Sequence, residues 1–220
     1  MTTDTDTGDH RPTSQAGTRR AVARITELWL FPVKSMAGTR VDSALVTATG
    51  LAGDRSWAVV DGEGKPVTAA DEPRLRLVTP RLVDGQLLLD VPDATPGLAP
   101  DEAAAALSRW LGRDLRLASQ ETGGFADVAP VHVVSTASMS DATHAEECDA
   151  CDISAPRANL VLDLAADLPD GETSERDWVG RTVRAGEAEL ALAKLPEHCL
   201  GIYADVPRGG TVTVGDQLLA

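Results

Sequence analysis

The chain has 220 residues, which is enough for one large or two small domains and for a sizeable buried core. Its 34 acidic and 20 basic side chains give a formal charge of -14, so its overall field repels nucleic acid and anionic membrane surfaces. The sequence contains neither the run of about 18 apolar residues of a spanning helix nor an apolar signal-peptide centre. We therefore expect a cytoplasmic protein that binds neither nucleic acid nor membrane.

The first half of the chain has the texture of short strands. Residues 1–21 are mostly Thr, Asp, Gly, Ser and Arg without an apolar period, which predicts a disordered tail. From residue 22 to residue 95, short apolar runs alternate with breaks that contain Gly, Pro or Asp, as strands and turns do. Asp61-Gly62-Glu63-Gly64 has the turn chemistry of a hairpin. Leucines that alternate with arginines predict a further strand over residues 74–80.

The second half mixes helices with strands. Residues 92–100 are rich in Pro, Ala and Gly and mark a linker, after which Asp101 and Glu102 begin a helix that ends at Gly112. A second helix is predicted from residue 138 to about residue 147. Strands are predicted at residues 131–134, 160–164, 182–183, 188–193 and 211–214. The sequence therefore predicts a mostly β chain with a few helices (α+β), arranged as two β-rich units.

Two turns in the first unit carry cationic side chains. Lys34 and Ser35 follow an apolar strand and Pro32, so an ammonium, a hydroxyl and free backbone N–H groups could bind a phosphate there. The alternative is an ordinary exposed turn. Arg55 ends a second Gly-rich turn, where its alternative role is a local salt bridge with Asp54.

A third candidate segment precedes the strand at residues 160–164. Arg157 offers a planar, permanently charged fork that suits phosphate or carboxylate, and Asn159 offers an amide that suits the edge of a heterocycle. A solvated loop is the alternative interpretation.

The three cysteines are too few, and odd in number, for a disulfide framework. Cys148 and Cys151 have the spacing of a metal site or a dithiol, but a structural zinc needs four ligands, and two ordinary thiols are the simpler interpretation. Cys199 follows His198, so it is a low-pKa nucleophile, a ligand for a soft metal or a buried inert thiol.

Taken together, these segments resemble the MOSC superfamily, the molybdenum-cofactor proteins that include the C-terminal domain of molybdenum cofactor sulfurase and the mitochondrial amidoxime-reducing component. The motifs are Phe-Pro-Val-Lys-Ser at 31–35, Asp-Arg-x-Trp at 54–57, Pro-Arg-Ala-Asn at 156–159, Asp-Trp at 177–178, Cys199 and Gly-Thr-Val-Thr-Val-Gly-Asp at 210–216. The resemblance implies an N-terminal β-barrel-like domain over residues 22–95 and a MOSC β-barrel domain over residues 96–220.

The resemblance also implies a molybdenum-molybdopterin cofactor between the two units. It assigns cofactor binding to six residues and a catalytic role to two more. The cofactor-binding residues are Lys34, Ser35, Arg55, Ser135, Arg157 and Asn159. Cys199 matches the cysteine that ligates molybdenum, and Asp177 is a nearby carboxylate that donates a proton or orients a group.

The activity that the resemblance implies is the reduction of small N-hydroxylated or N-oxygenated compounds, with electrons from a separate donor protein. The cofactor would supply the redox chemistry, and the protein would position and tune it. Two other readings use the same residues: a non-catalytic carrier or store of molybdenum cofactor, and a sulfur-handling protein in which Cys199 carries a persulfide.

Overall fold

A computed structural model describes residues 19–120, 124–125, 128–141, 157–197 and 199–220. Within these ranges the strands are β1 (Ala21–Leu30), β2 (Thr39–Val41), β3 (Ser43–Thr47), β4 (Gly50–Leu51), β5 (Trp57–Asp61), β6 (Thr79–Val83), β7 (Gln86–Asp90), β8 (Leu115–Ser119), β9 (Val131–Ser135), β10 (Leu160–Leu164), β11 (Thr182–Ala185), β12 (Ala188–Lys194), β13 (Ile202–Arg208), β14 (Gly210–Thr213) and β15 (Gln217–Leu219). The helices are α1 (Pro100–Leu111), α2 (Thr136–Ser140) and the 3₁₀ helices Pro73–Leu77 and Glu175–Trp178. The predicted mostly β fold with a few helices is confirmed.

Seven of the strands close into a barrel in the order β10-β9-β13-β12-β11-β15-β1, and pairing of β1 with β10 completes the ring. Closure leaves none of these seven strands with an unpaired edge. Inward-facing apolar side chains fill the barrel, among them Ile25, Leu28, Leu160, Leu162, Val183, Leu190 and Ile202, all without exposed surface. The barrel is therefore a packed core that holds the loops at its ends in place.

A second apolar core lies between residues 33 and 117, formed by the β5–β8 and β6–β7 pairs and helix α1. Helix α1 has Asp101 and Glu102 in its first turn, and Gly112 follows it with a φ of 69°, a left-handed conformation that glycine adopts without strain. The helix buries one face, made of Ala103, Ala106, Leu107 and Leu111. The helix predicted after the linker is thus confirmed.

Several sheets join strands from the two sides of residue 95. Strand β1 pairs with β10 and β15, β3 pairs with β14, and β5 pairs with β8. The division of the chain into units at residues 22–95 and 96–220 stays a prediction, but the strand pairing runs across that boundary. Loops from both halves consequently meet at shared ends of the barrel.

The strand predicted over residues 74–80 is wrong in its first part. Pro73 begins a 3₁₀ helix, and the carboxylate of Glu72 accepts a hydrogen bond from the backbone N–H of Arg74 at 3.3 Å. Proline suits the first turn of a helix because its missing N–H would have no partner there. In this 3₁₀ turn Leu75 lies in the core and Leu77 is exposed, so the alternating leucines do not form a strand. Strand β6 begins only at Thr79.

Helix α2 begins at Thr136, two residues before the predicted start, and ends at Ser140, because Asp141 has an extended backbone (φ -77°, ψ 105°). Residues 142–147, the remainder of the predicted helix, lie outside the described residues. The same is true of Cys148, Cys151 and most of the predicted tail. None of the helices that the structure describes is long and apolar enough to cross a membrane.

Candidate functional site

The turn that carries Lys34 and Ser35 lies directly after β1. The backbone N–H of Lys34 donates to Trp57 O at 2.8 Å, and Met36 N donates to Val33 O at 3.2 Å, so both ends of the turn are fixed. Ser35 has a φ of 68°, which is uncommon for a residue other than glycine and is a conformation that concentrates at binding sites.

Phe31 gathers two arginines beside this turn. The guanidinium carbon of Arg157 lies 4.5 Å from the Phe31 ring centroid, and that of Arg55 lies 5.1 Å from it. Arg157 Nη1 donates to the Met36 carbonyl, and Arg55 Nη2 donates to the Arg157 carbonyl at 3.1 Å. Arg55, Arg157 and the turn of Lys34 and Ser35, which are far apart in the sequence, therefore meet at one place, which we call the cationic cluster.

Asp54 organises the cationic cluster. Its Oδ1 accepts from Phe31 N at 2.8 Å and its Oδ2 accepts from Arg55 Nη1, while only 4% of the side chain is exposed. The local salt bridge considered from the sequence is thus present, and it fixes the guanidinium of Arg55 within the cluster. Phe31 and Asp54 were not predicted as site residues, because an aromatic and an acid beside a turn carry no pattern specific to binding.

Asn159 and Ser135 are fully buried and have structural partners. Asn159 Oδ1 accepts from His132 N at 3.1 Å and its Nδ2 donates to Trp29 O at 3.3 Å, so the amide links β9 to the end of β1. Ser135 caps helix α2 by accepting from Ser138 N at 3.0 Å. Cofactor binding by these two residues stays a prediction, and their hydrogen bonds in this structure support neighbouring backbone.

Asp177 is exposed and caps its own helix. Its Oδ2 accepts from Thr173 N at 2.8 Å and from Ser174 N at 3.0 Å. Its catalytic role stays a prediction, and these capping bonds already occupy one of its carboxylate oxygens. The next residue of the helix, Trp178, is buried in the barrel core and so anchors this short helix.

The interior carboxyl of this region belongs to Glu175, which the sequence did not single out. Its side chain is fully buried, Oε2 accepts from Ser138 Oγ at 2.9 Å, and no hydrogen-bond donor in the described part of the chain reaches Oε1. A buried carboxyl with so few partners depends strongly on the one hydrogen bond that it has.

Substitution of Ser138 by alanine is therefore expected to lower the free energy of unfolding by about 2 kcal/mol, because it leaves the Glu175 carboxyl unpaired. Urea denaturation measures this loss. Ser140→Ala is the matched control, since Ser140 lies on the same helix but is exposed and should change stability by less than about 0.5 kcal/mol. Equal effects of the two substitutions would show that the hydrogen bond to Glu175 adds no more to the free energy of unfolding than the exposed Ser140 does.

Cys199 lies just before β13 and is partly exposed. Its carbonyl accepts from Arg176 Nη1 at 3.4 Å, and its sulfur is in a disulfide bond. A thiolate at this position therefore requires reduction of that bond. Among the described residues, His, Cys, Asp and Glu side chains form no group of three or more that could hold a metal ion by themselves.

His132 is a buried histidine that contacts the segment after Cys199. Its Nε2 is 2.7 Å from the Leu200 carbonyl, and its ring centroid is 4.9 Å from that of Tyr203. The pKa of His132 is lowered to about 4, chiefly because burial disfavours the charged ring and also because of the charge of Arg55, while the Leu200 and Arg157 carbonyls act in the opposite direction. The imidazole is consequently neutral at physiological pH.

Comparison with known proteins gives a partial match. The sequence model of one protein family, the MOSC N-terminal beta barrel domain, matches residues 22–114 of this chain. This range includes Lys34, Ser35 and Arg55 but not Arg157 or Cys199.

Curated relatives match over short stretches. Mitochondrial amidoxime reducing component 2 of Bos taurus is 39% identical over 89 residues, which are 39% of this chain and 25% of that protein. Mitochondrial amidoxime-reducing component 1 of Homo sapiens is 42% identical over 72 residues, 31% of this chain and 21% of that protein. Molybdenum cofactor sulfurase of Drosophila mojavensis is 37% identical over 79 residues, 34% of this chain and 10% of that protein. The matched stretch is thus at most a quarter of each of these three relatives.

One solved structure, the YUAD protein from Bacillus subtilis, aligns over 92% of this chain and 96% of that chain with 14% identity and a TM-score of 0.39. This likeness is too distant to inform either the fold or the function.

Proposed function

Since this chain is a MOSC-domain protein, with the MOSC N-terminal β-barrel domain at residues 22–114, we propose that it binds molybdenum cofactor and reduces N-hydroxylated compounds. The substrate class follows the names of the amidoxime-reducing relatives. We place the reaction in the cytoplasm, with electrons from a separate donor protein.

The cationic cluster is the observation that carries the proposal. Arginine presents planar N–H donors that match phosphate oxygens, and charge-assisted hydrogen bonds of this kind are among the strong ones in proteins. Contacts with Phe31 and Asp54 hold the Arg55 guanidinium in place, so less side-chain freedom is lost when an anion binds. Lys34 and Ser35, on the adjoining turn, add an ammonium and a hydroxyl. This donor set fits the phosphate of a pterin cofactor.

Cys199 is the residue that would hold the metal, because a thiolate is a soft ligand. Its disulfide must first be reduced, so the fit of this residue depends on redox conditions. When bound, the cofactor supplies two-electron redox chemistry. The side chains of this chain bind and orient it: the cationic cluster through charge, and the Cys199 segment through its attachment to Arg176 and His132. Overall, the N–O bond breaks, two electrons and two protons enter, and water leaves.

Metal and pterin analysis tests the proposal. Protein made in a host that synthesises the cofactor, and purified under reducing conditions, is expected to hold about one molybdenum per chain and to reduce a simple amidoxime with an artificial electron donor. Absence of both molybdenum and pterin would contradict cofactor binding. Molybdenum without reduction of any N-oxygenated compound would favour a carrier of the cofactor, and sulfane sulfur on Cys199 without molybdenum would favour a sulfur-handling protein.

Substitution of Arg157 by alanine is expected to lower cofactor occupancy by roughly ten- to a hundredfold, since it removes a charge-assisted contact of about 1.5 to 3 kcal/mol. Activity per bound molybdenum should stay the same. Arg74→Ala is the matched control, because Arg74, like Arg157, lies over an aromatic ring and donates to a nearby oxygen, in this case the Glu72 carboxylate, but it lies beside the second core. A similar loss of molybdenum in both variants would show that Arg157 acts only on folding.

A further inference from the structure

His132 is a histidine in a strand whose every residue is buried. Strand β9 reads Val-His-Val-Val-Ser, and 7% of His132 is exposed. Asn159 binds both backbone polar groups of His132: the His132 N–H donates to Asn159 Oδ1 at 3.1 Å, and the His132 carbonyl accepts from Asn159 N at 2.8 Å. The ring therefore projects from a rigid position. A valine or leucine would fill such a core position without bringing a polar group that needs partners.

The ring of His132 reaches the segment that contains the proposed metal ligand. Nε2 lies 2.7 Å from the carbonyl of Leu200, the residue after Cys199. A Cβ at Gly201 would lie 2.8 Å from the same ring nitrogen and 2.2 Å from Val133 O, so this glycine allows the segment to lie against β9. The Tyr203 ring, 4.9 Å away, covers the imidazole on the following strand. Leu200 itself is only 1% exposed, so its main partner here is His132 rather than solvent.

The same histidine is tied to the segment of Arg157. Asn159, two residues after Arg157, holds both backbone polar groups of His132, and the Arg157 carbonyl accepts from Arg55 Nη2 at 3.1 Å. His132 thus connects the two segments: its ring contacts the segment of Cys199, and its backbone is bonded to the segment that supplies an arginine to the cationic cluster.

We propose that His132 is a positioning residue that fixes the Cys199 segment relative to Arg157, and so sets the spacing between the metal ligand and the anion-binding arginines. The functional part of this inference rests on the proposed cofactor binding. The geometric part does not, because it concerns the freedom of Cys199 in the protein without any cofactor.

The first test uses reduced, cofactor-free full-length protein and measures the rate at which iodoacetamide alkylates Cys199, with the Cys199 peptide quantified by mass spectrometry. His132→Phe keeps a ring beside Tyr203 but removes the donor to Leu200 O, and it is expected to raise the rate about tenfold through the loss of a buried hydrogen bond. His132→Gln keeps an N–H donor and should restore the rate to within about twofold of the wild type.

Val183→Ala is the control for general destabilisation, since Val183 is fully buried in β11 of the same barrel. If His132→Phe raises the alkylation rate no more than Val183→Ala does, or if His132→Gln behaves like His132→Phe, the proposal is overturned.

Where wild-type protein holds molybdenum, His132→Phe should also lower activity per molybdenum, and His132→Gln should recover it. Wild-type protein without molybdenum would refute the proposed function, while the alkylation rates would still decide the role of His132.

Discussion

Replacement of Cys199 by alanine is expected to reduce amidoxime reduction per bound molybdenum to background. The substitution removes the sulfur that we propose as the ligand from this chain to the metal. Loss of this ligand changes the coordination that sets the metal's reduction potential. The pterin and phosphate contacts of the cationic cluster remain, so some cofactor should still bind. The measurement is activity with an artificial electron donor, divided by the molybdenum content of the same sample.

Three variants separate this effect from loss of cofactor. Lys34→Ala, like Arg157→Ala, should lower occupancy but keep activity per molybdenum. Cys148→Ser and Cys151→Ser are each expected to retain molybdenum under reducing conditions, since neither is the proposed ligand. Full activity per molybdenum in Cys199→Ala would show that the ligand is another residue, and stoichiometric zinc that is lost in Cys151→Ser would give Cys148 and Cys151 a metal role.

Acidification is expected to remove about 3 kcal/mol of unfolding free energy through His132 alone, between pH values of about 6.5 and about 4. Burial lowers the pKa of His132 in the folded chain to about 4, whereas the imidazole of the unfolded chain takes up its proton near 6.5. The unfolded state thus binds more protons over this interval. This stabilisation is fully present above a pH of about 6.5 and is lost progressively as the pH falls to about 4.

Urea denaturation of the wild type and His132→Gln at a series of pH values measures this contribution. Carboxylates titrate in the same interval, but they do so in both proteins, so the difference between the two curves isolates the histidine. The wild type should lose stability more steeply on acidification. Parallel curves would show that His132 titrates alike in the folded and unfolded chains.

Local patterns predicted local structure well. Acidic residues before an alanine-rich run and a glycine after it predicted helix α1, and Pro32 predicted the end of a strand and a turn with Lys34. Each of these depends only on the preferences of residues near one another in the chain. The leucines at residues 75 and 77 misled for the same reason, because alternation alone does not distinguish a strand from a 3₁₀ turn that begins at a proline.

Contacts between distant segments could not be read from the sequence. The pairing of β1 with β10 and β15 depends on the closure of a ring, and nothing in the pattern of β1 distinguishes one partner strand from another. Glu175 and His132 have no motif, so only burial reveals that each is a polar side chain with few permitted partners. Binding of a heterocycle by Asn159 stays a prediction, and the sequence could not show that its amide is bonded to backbone groups of His132 and Trp29.

The first and last strands of the described chain are neighbours in the barrel. Arg20 N donates to Ala220 O at 2.9 Å, and Ala220 N donates to Arg20 O at 2.9 Å. The ring therefore cannot close during synthesis until β15 has left the ribosome, whereas the core between residues 33 and 117 can form much earlier. Arg55 is synthesised before Arg157, to which it is hydrogen-bonded across 102 residues, so the cationic cluster forms only after Arg157 has left the ribosome. A nascent chain that ends before Arg157 would therefore lack one of the two arginines of the proposed cofactor site.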